Sequence, residues 1–211
     1  MGGSISDDAG EHSRSLEVEV KYDVDEETLL PDLSGLPGVA AIGHPEERDL
    51  DAQYFDTADL DLAKAGYALR RRSGGPDEGW HIKGPKEDGA RLELHWPLAD
   101  SIPEAVLTAA REVTDAELTP LARIRNRRIA YNLHSADGGV VAEFLDDHVV
   151  ATDERSSTER TWREWEFELG PAAPDDEADR RTLFARFEKA VHAAGGRAAA
   201  SDSKLARTLG Q

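Results

Sequence analysis

The feature that most constrains this chain is a period-two alternation that recurs along it, with charge on one parity and apolar side chains on the other. "LEVEVKYDV" at 16 to 24 places Glu17, Glu19 and Lys21 on one side and Val18, Val20 and Tyr22 on the other, because successive side chains of a strand point to opposite faces. The runs "YALRRRSG", "WHIKGP", "ARLELHWPL", "LARIRNRRIAYNL", "GGVVAEFLDDHVVAT" and "TWREWEFELG" repeat the pattern. Their charged parity collects Arg70, Arg72, His81, Lys83, Arg91, Glu93, His95, Arg125, Arg127, Glu143, Asp147, Glu164, Glu166 and Glu168, while Leu69, Trp80, Ile82, Leu92, Leu94, Trp96, Phe144, Trp165, Phe167 and Leu169 share the other. Counting runs gives roughly eight short, sequential, antiparallel strands. Closing such a sheet removes its edges and creates two chemically different faces.

A solvated outer face would alternate in the same way, with the apolar parity filling the barrel. Solvated faces, however, mix Thr, Ser, Gln and Lys, whereas these positions are almost wholly Arg, Lys and Glu, with acids grouped on some strands and cations on others. Sorting by strand points to two recognition surfaces facing one another across a wet interior, with the apolar parity lying beneath outer helices. Guanidinium forks and lysines suit phosphate oxygens. Paired E-x-E carboxylates suit Mg²⁺ or Mn²⁺, which bridge carboxylates and substrate phosphates. Together they predict a metal and polyphosphate site, hydrated or anion-filled because burying so many like charges alone is costly.

The rest of the chain supplies the helices. "DEETLLPDLSGL" predicts a brief helix, "DLDLAKAG" a turn or one helical piece, "IPEAVLTAAREVT" an amphipathic helix, "DEADRRTLFARFEKAVHAAGG" a helix with an acidic start and a glycine stop, and "SDSKLARTLG" a short terminal one. Residues 1–15 read as a disordered leader and 16–211 as one domain. The formal charge of −18 argues against nucleic acid and anionic membranes as partners. No apolar run reaches the roughly 20 residues of a bilayer span. The absence of cysteine suits a reducing compartment, and a cytoplasmic location is expected.

In order along the chain, E-x-E-x-K at Glu17, Glu19 and Lys21, "YFDT" (54–57), "LRRR" (69–72), "IKGP" (82–85), "RLE" (91–93), "RNR" (125–127), "AEFLDD" (142–147), "EWEFEL" (164–169) and "SDSK" (201–204) resemble the CYTH family, the triphosphate tunnel metalloenzymes, which includes inorganic and thiamine triphosphatases and a class of adenylate cyclases. The resemblance implies an α+β, β-dominated fold: a closed eight-stranded antiparallel barrel forming a tunnel, with helices packed outside. It implies Glu17, Glu19, Asp147, Glu166 and Glu168 as ligands of Mg²⁺ or Mn²⁺, with Glu164 and Glu93 as further members. It implies Lys21, Arg70, Arg72, Lys83, Arg91, Arg125, Arg127 and Lys204 as triphosphate contacts, among which Lys21, Arg70, Arg72, Arg125 and Arg127 serve the reaction. Arg123 is left open between tunnel and surface, Arg71 and Arg128 read as surface cations, His81 and His95 as hydrogen-bonded structural groups, and Tyr54 or Asp56 as borders of the site.

The expected function is metal-dependent hydrolysis of the terminal phosphate of inorganic triphosphate or an organic triphosphate. Two alternatives remain open in the sequence: a polyphosphate- or nucleotide-binding module with little turnover, cut from a fusion with a helical polyphosphate-associated domain, and an adenylate cyclase. The oligomeric state is not legible.

Overall fold

The computed structural model describes residues 12–211. Most of the expected leader lies outside the described residues, but Ser13 and Ser15 already pair with His95 and Glu93, so the folded unit begins earlier than Leu16. The elements run β1 (Ser13–Val24), β2 (Ala41–Ile42), β3 (Glu46–Asp56), α1 (Asp61–Lys64), β4 (Ala68–Ser73), β5 (Gly79–Glu87), β6 (Ala90–Trp96), α2 (Glu104–Arg111), β7 (Thr119–His134), β8 (Val140–Asp153), β9 (Thr158–Leu169), α3 (Glu177–Ala194), β10 (Arg197–Ala198) and α4 (Lys204–Thr208). Eight strands follow one another as β1, β6, β5, β4, β3, β7, β8, β9, all antiparallel, and β9 returns to β1 through Glu19↔Glu168 and Lys21↔Glu166. The sheet is therefore a closed barrel, as the strand count and the family resemblance implied, and β2 and β10 are two-residue additions beside it.

Most of the apolar parity faces outward and is covered. Leu183, Phe187 and Val191 lie one helical turn apart on α3 and pack on Tyr22, Phe144, Trp165 and Phe167, with the Phe167 and Phe187 rings stacked at 4.1 Å. Asp176 starts this helix by accepting the amide hydrogens of Ala178 and Asp179 at 2.8 and 3.1 Å, and Gly195 stops it at a φ of 102°. Leu62 of α1 and Val106 and Ala110 of α2 cover Leu69, Trp80, Ile82 and Trp96 in the same way. Gly74, at a φ of 78°, makes the β4–β5 turn, where any Cβ would meet the Asp49 carbonyl oxygen at 2.0 Å.

One end of the barrel departs from this plan. Ala52, Tyr54, Ala122, Ile124, Val149 and Ala151 fill it with apolar side chains, joined by Leu205 of α4 and partly by Trp162. The expected brief helix in 25–36 is also replaced by turns and extended chain. Pro31 removes a helical donor there. Asp32 accepts the Ser34 amide hydrogen at 2.9 Å, and the buried Arg163 guanidinium donates to the carbonyls of Asp25, Glu26 and Thr28 at 3.3, 2.8 and 2.7 Å. Those carbonyls are the acceptors a helix would have used internally.

Candidate active site in the barrel interior

The strand register sorts the interior into an acidic wall and a cationic wall. Asp147 on β8 stands opposite Glu164 on β9, Glu166 follows two residues on, and all three are buried with carboxylate oxygens within 4.8 Å of one another. Three cations hold them. The Lys204 ammonium lies 2.7 Å from Asp147, 2.6 Å from Glu164 and 2.7 Å from Glu166. Arg128 forks onto both oxygens of Asp147 at 2.7 Å and reaches Glu166 at 2.6 Å. Lys21 pairs with Glu166 and lies 2.8 Å from Glu19.

Burial alone would push these carboxyls up, because a low-dielectric site disfavours the charged form. Arg128 and Lys204 outweigh it at Asp147, which falls to about 2, and Lys204, Lys21 and Arg128 hold Glu166 well below the usual carboxylate range. Lys204 answers in kind: burial opposes its charge, yet Asp147, Glu164 and Glu166 raise it well above an ordinary lysine.

The facing wall comes from β4, β5 and β6. Arg70 donates to Glu93 at 3.3 Å, Lys83 to Glu17 at 2.6 Å, and Arg72 pairs with Asp77 at the β4–β5 turn. The Nε atoms of Arg70 and Arg72 are buried with no hydrogen-bond partner among the described residues. Burial, with Arg70 and Arg128 adding like charge, lowers the Arg72 guanidinium to about 9. An anion's oxygens would satisfy both open donors and relieve that repulsion. Glu17 is pushed up to about 7, chiefly by burial and further by Glu93 and Glu168, against the pull of Lys83. The cavity between them, about 260 Å³, is lined by both walls, including Glu17, Glu19, Lys21, Arg70, Arg72, Lys83, Arg91, Arg128, Glu166, Glu168 and Lys204.

Most sequence-predicted residues thus converge, and four statements change. Arg125 and Arg127 are exposed, point away from the inward positions of β7 and line a separate groove of about 910 Å³ that also reaches Asn126 and Val149. There Arg127 pairs with Glu47 at 3.1 Å, and Arg123, also outside, pairs with Asp51 at 2.6 Å. Arg128, read as a surface cation, is the inward residue of β7. The parity of β7 is reversed because Ala122 and Ile124 serve the apolar end of the barrel, which fixes the even positions inward. Alternating acids at 47, 49 and 51 on β3, in register with arginines at 127 and 125, were a sequence signal for this outer ladder. Arg48 and Asn126 are further interior residues that the alternation missed, Arg48 pairing with Glu143 at 3.0 Å.

Glu93, read as a metal ligand, belongs to the cationic wall, where His81 Nδ1 at 2.9 Å, Arg70 and Lys83 surround it. His81 is structural as expected, bridging Glu93 and the Asp77 carbonyl, and burial lowers it to about 3. Tyr54 borders the cavity with its hydroxyl 3.5 Å from Arg70, whereas Asp56 turns away to cap α1 through the amides of Leu62 and Ala63 at 3.0 Å. The carboxylate triad fits a hard divalent cation in donor type and spacing, with Glu19 next to it across Lys21.

The family model described as the CYTH domain matches residues 15–201. The chain is 37% identical over 212 residues to the uncharacterized proteins Rv2226 and MT2285 of two Mycobacterium tuberculosis strains; the match covers 94% of this chain and 41% of theirs, so the chain spans less than half the length of these relatives. In fold it is similar to a candidate adenylate cyclase of Bacillus halodurans, with 20% identity, a TM-score of 0.56 and coverage of 92% of this chain and 97% of that one. It is equally similar to a Hippeastrum candidate adenylyl cyclase described as having a dominant triphosphatase activity, with 18% identity, a TM-score of 0.56 and coverage of 92% and 95%. A barrel whose interior opposes carboxylates to arginines and lysines, and a family match across nearly all of the described chain, lead to one assignment: the chain belongs to the CYTH domain family.

Proposed function

We propose that this barrel hydrolyses the terminal phosphoryl group of a triphosphate with the help of Mg²⁺ or Mn²⁺. The observation that carries the reading is the opposition of walls: Glu166 of the buried carboxylate triad, with Glu17, Glu19 and Glu168, lines a small cavity shared with Arg70 and Arg72, whose Nε donors are buried and open. Phosphoryl transfer asks little covalent chemistry of a protein, so charge neutralisation and in-line positioning do most of the catalysis. Arg70, Arg72, Lys83 and Arg91 would bind the phosphate oxygens, Glu93 and His81 holding Arg70 and its neighbours in place. Lys21, between Glu19 and Glu166, would orient the reacting end of the chain. Asp147, Glu164 and Glu166, with Glu19, would hold the divalent cation, whose bound form supplies further neutralisation and a more acidic water.

Two features weigh against the other readings. A pure anion binder gains nothing from buried carboxylates, which only oppose its ligand. A cavity of about 260 Å³ suits a phosphate chain better than the ribose and base that cyclisation must also orient. Since the chain matches 41% of the length of its curated relatives, the activity of any longer protein is part of the same proposal.

The test is phosphate release from inorganic triphosphate, thiamine triphosphate, ATP and long polyphosphate with Mg²⁺, Mn²⁺ or a chelator, with Glu166→Gln as control. Metal-dependent release of orthophosphate that the variant loses supports the triphosphatase. Cyclic AMP with pyrophosphate would transfer the reading to a cyclase, and binding without release to a storage or sensing module.

A further inference from the structure

The Lys204 ammonium sits where a divalent cation would have to sit. It is within 2.6 to 2.7 Å of one oxygen from each of Asp147, Glu164 and Glu166, the same three groups whose oxygens converge within 4.8 Å. A divalent charge seated on those oxygens would lie about 4 Å or less from the ammonium, and like charges at that separation repel by several kcal/mol even at an effective dielectric of about 20, which favours displacement of the ammonium. We infer that Lys204 is a built-in counter-cation that a divalent metal displaces, so that metal occupancy and the seating of α4 are coupled. The inference rests on the proposed metal reading and adds to it the mobile partner.

The attachments of α4 make the coupling physical. Lys204 is its first residue, with the Ser203 hydroxyl accepting the Ala206 amide hydrogen at 3.1 Å, and the helix is only five residues long. Its polar ties to the barrel are Lys204 on the triad, Arg207 on Asp23 and, at 3.9 Å, on Glu164, and the Thr208 carbonyl, which accepts from Arg160 at 2.7 Å. Arg207 also lies 4.8 Å over the Trp162 ring, whose Nε1 donates to Glu164. Losing the triad contact removes the strongest of these ties, and the Trp162 indole is positioned to report it. The same side chain, once released, lies beside the cavity wall at Asp202 and Ser203, within reach of an anion arriving on the cationic side. Metal binding would then turn Lys204 from a ligand of the acids into a ligand of the substrate.

Two measurements on the whole chain test this without any turnover. The first is Mn²⁺ affinity by electron paramagnetic resonance for the wild type, Lys204→Met and Glu166→Gln. Competition predicts that Lys204→Met binds Mn²⁺ about ten-fold or more tightly than the wild type. The second is amide exchange of the wild type at 204–209 with and without Mn²⁺, with Trp162 fluorescence recorded alongside. Faster exchange in α4 and an altered emission on adding Mn²⁺ support the coupling. Equal or weaker Mn²⁺ binding by Lys204→Met, or an α4 whose exchange ignores the metal, overturns the inference. The Glu166→Gln arm separates the two levels: if that variant binds Mn²⁺ as well as the wild type does, the triad is not the metal site and the functional reading fails with it.

Discussion

Replacing Arg128 by Met should destabilise the metal-free protein by about 3 kcal/mol, while replacing its neighbour Arg127 by Met should cost well under 1 kcal/mol. Arg128 makes three charge-assisted bonds of 2.6 to 2.7 Å to Asp147 and Glu166, and its side chain is 13% exposed. Removing one partner of a buried ion pair typically costs about 3 to 5 kcal/mol, because the remaining charge is left desolvated. Lys204 and Lys21 still face both carboxylates, which argues for the lower end of that range. Arg127 meets Glu47 at 3.1 Å with 54% of its side chain exposed, a setting in which ion pairs are worth about 0 to 1 kcal/mol. The assay is urea unfolding in a chelator. With a slope of about 3 kcal/mol/M for a chain of this size, Arg128→Met should lower the midpoint by about 1 M at unchanged slope, and Arg127→Met by about 0.3 M at most. The reverse order, a silent Arg128 and a costly Arg127, would refute the inward placement of the even positions of β7.

Arg72→Ala should weaken inorganic triphosphate binding by about ten-fold or more in calorimetry, since it deletes an open buried donor; unchanged affinity would remove the cationic wall from the site. Glu17 supplies a pH dependence. Its pKa rises from 4.5 unfolded to about 7 folded, so its favourable contribution is complete below pH 4.5 and is lost as pH rises to about 7. Glu17→Gln should flatten that decline, worth about 3 kcal/mol for a rise from 4.5 to about 7, in chelator-containing melts across pH 4 to 8. Asp147 has the opposite sign: its pKa falls from 3.8 to about 2, so the stability it adds is present above pH 3.8 and disappears as pH drops through about 2, seen as a steep acid limb. Asp146→Ala should cost about 3 kcal/mol, because it leaves the buried Arg163 without the carboxylate it meets at 2.8 and 2.9 Å and takes the acceptor from Trp165 Nε1; a midpoint shift below 0.3 M in urea would contradict it.

The alternation alone was enough to read the strands, the covered outer face and the identity of most groups in the cavity, and the family resemblance added the closure of the barrel. Alternation is enforced residue by residue by the backbone, so wherever apolar positions must lie under a helix, as Trp165 and Phe167 lie under α3, the opposite parity is fixed inward without further information. Glu17, Glu19, Lys21, Arg70, Arg72, Lys83, Glu164 and Glu166 were legible for that reason. Tertiary structure decided the arginine stretch of β7, where the outward positions 123, 125 and 127 are exposed and Ile124 is needed inside. A slip of one residue there exchanges Arg127 for Arg128, and both parities offer cations, so local pattern could not choose between them. It also decided which charges neutralise which. That Glu93 steadies Arg70, 23 residues before it, and that Lys204 rests on three acids 38 to 57 residues before it, depends on elements apart in sequence yet adjacent in space, and on how much water the closed barrel excludes from them.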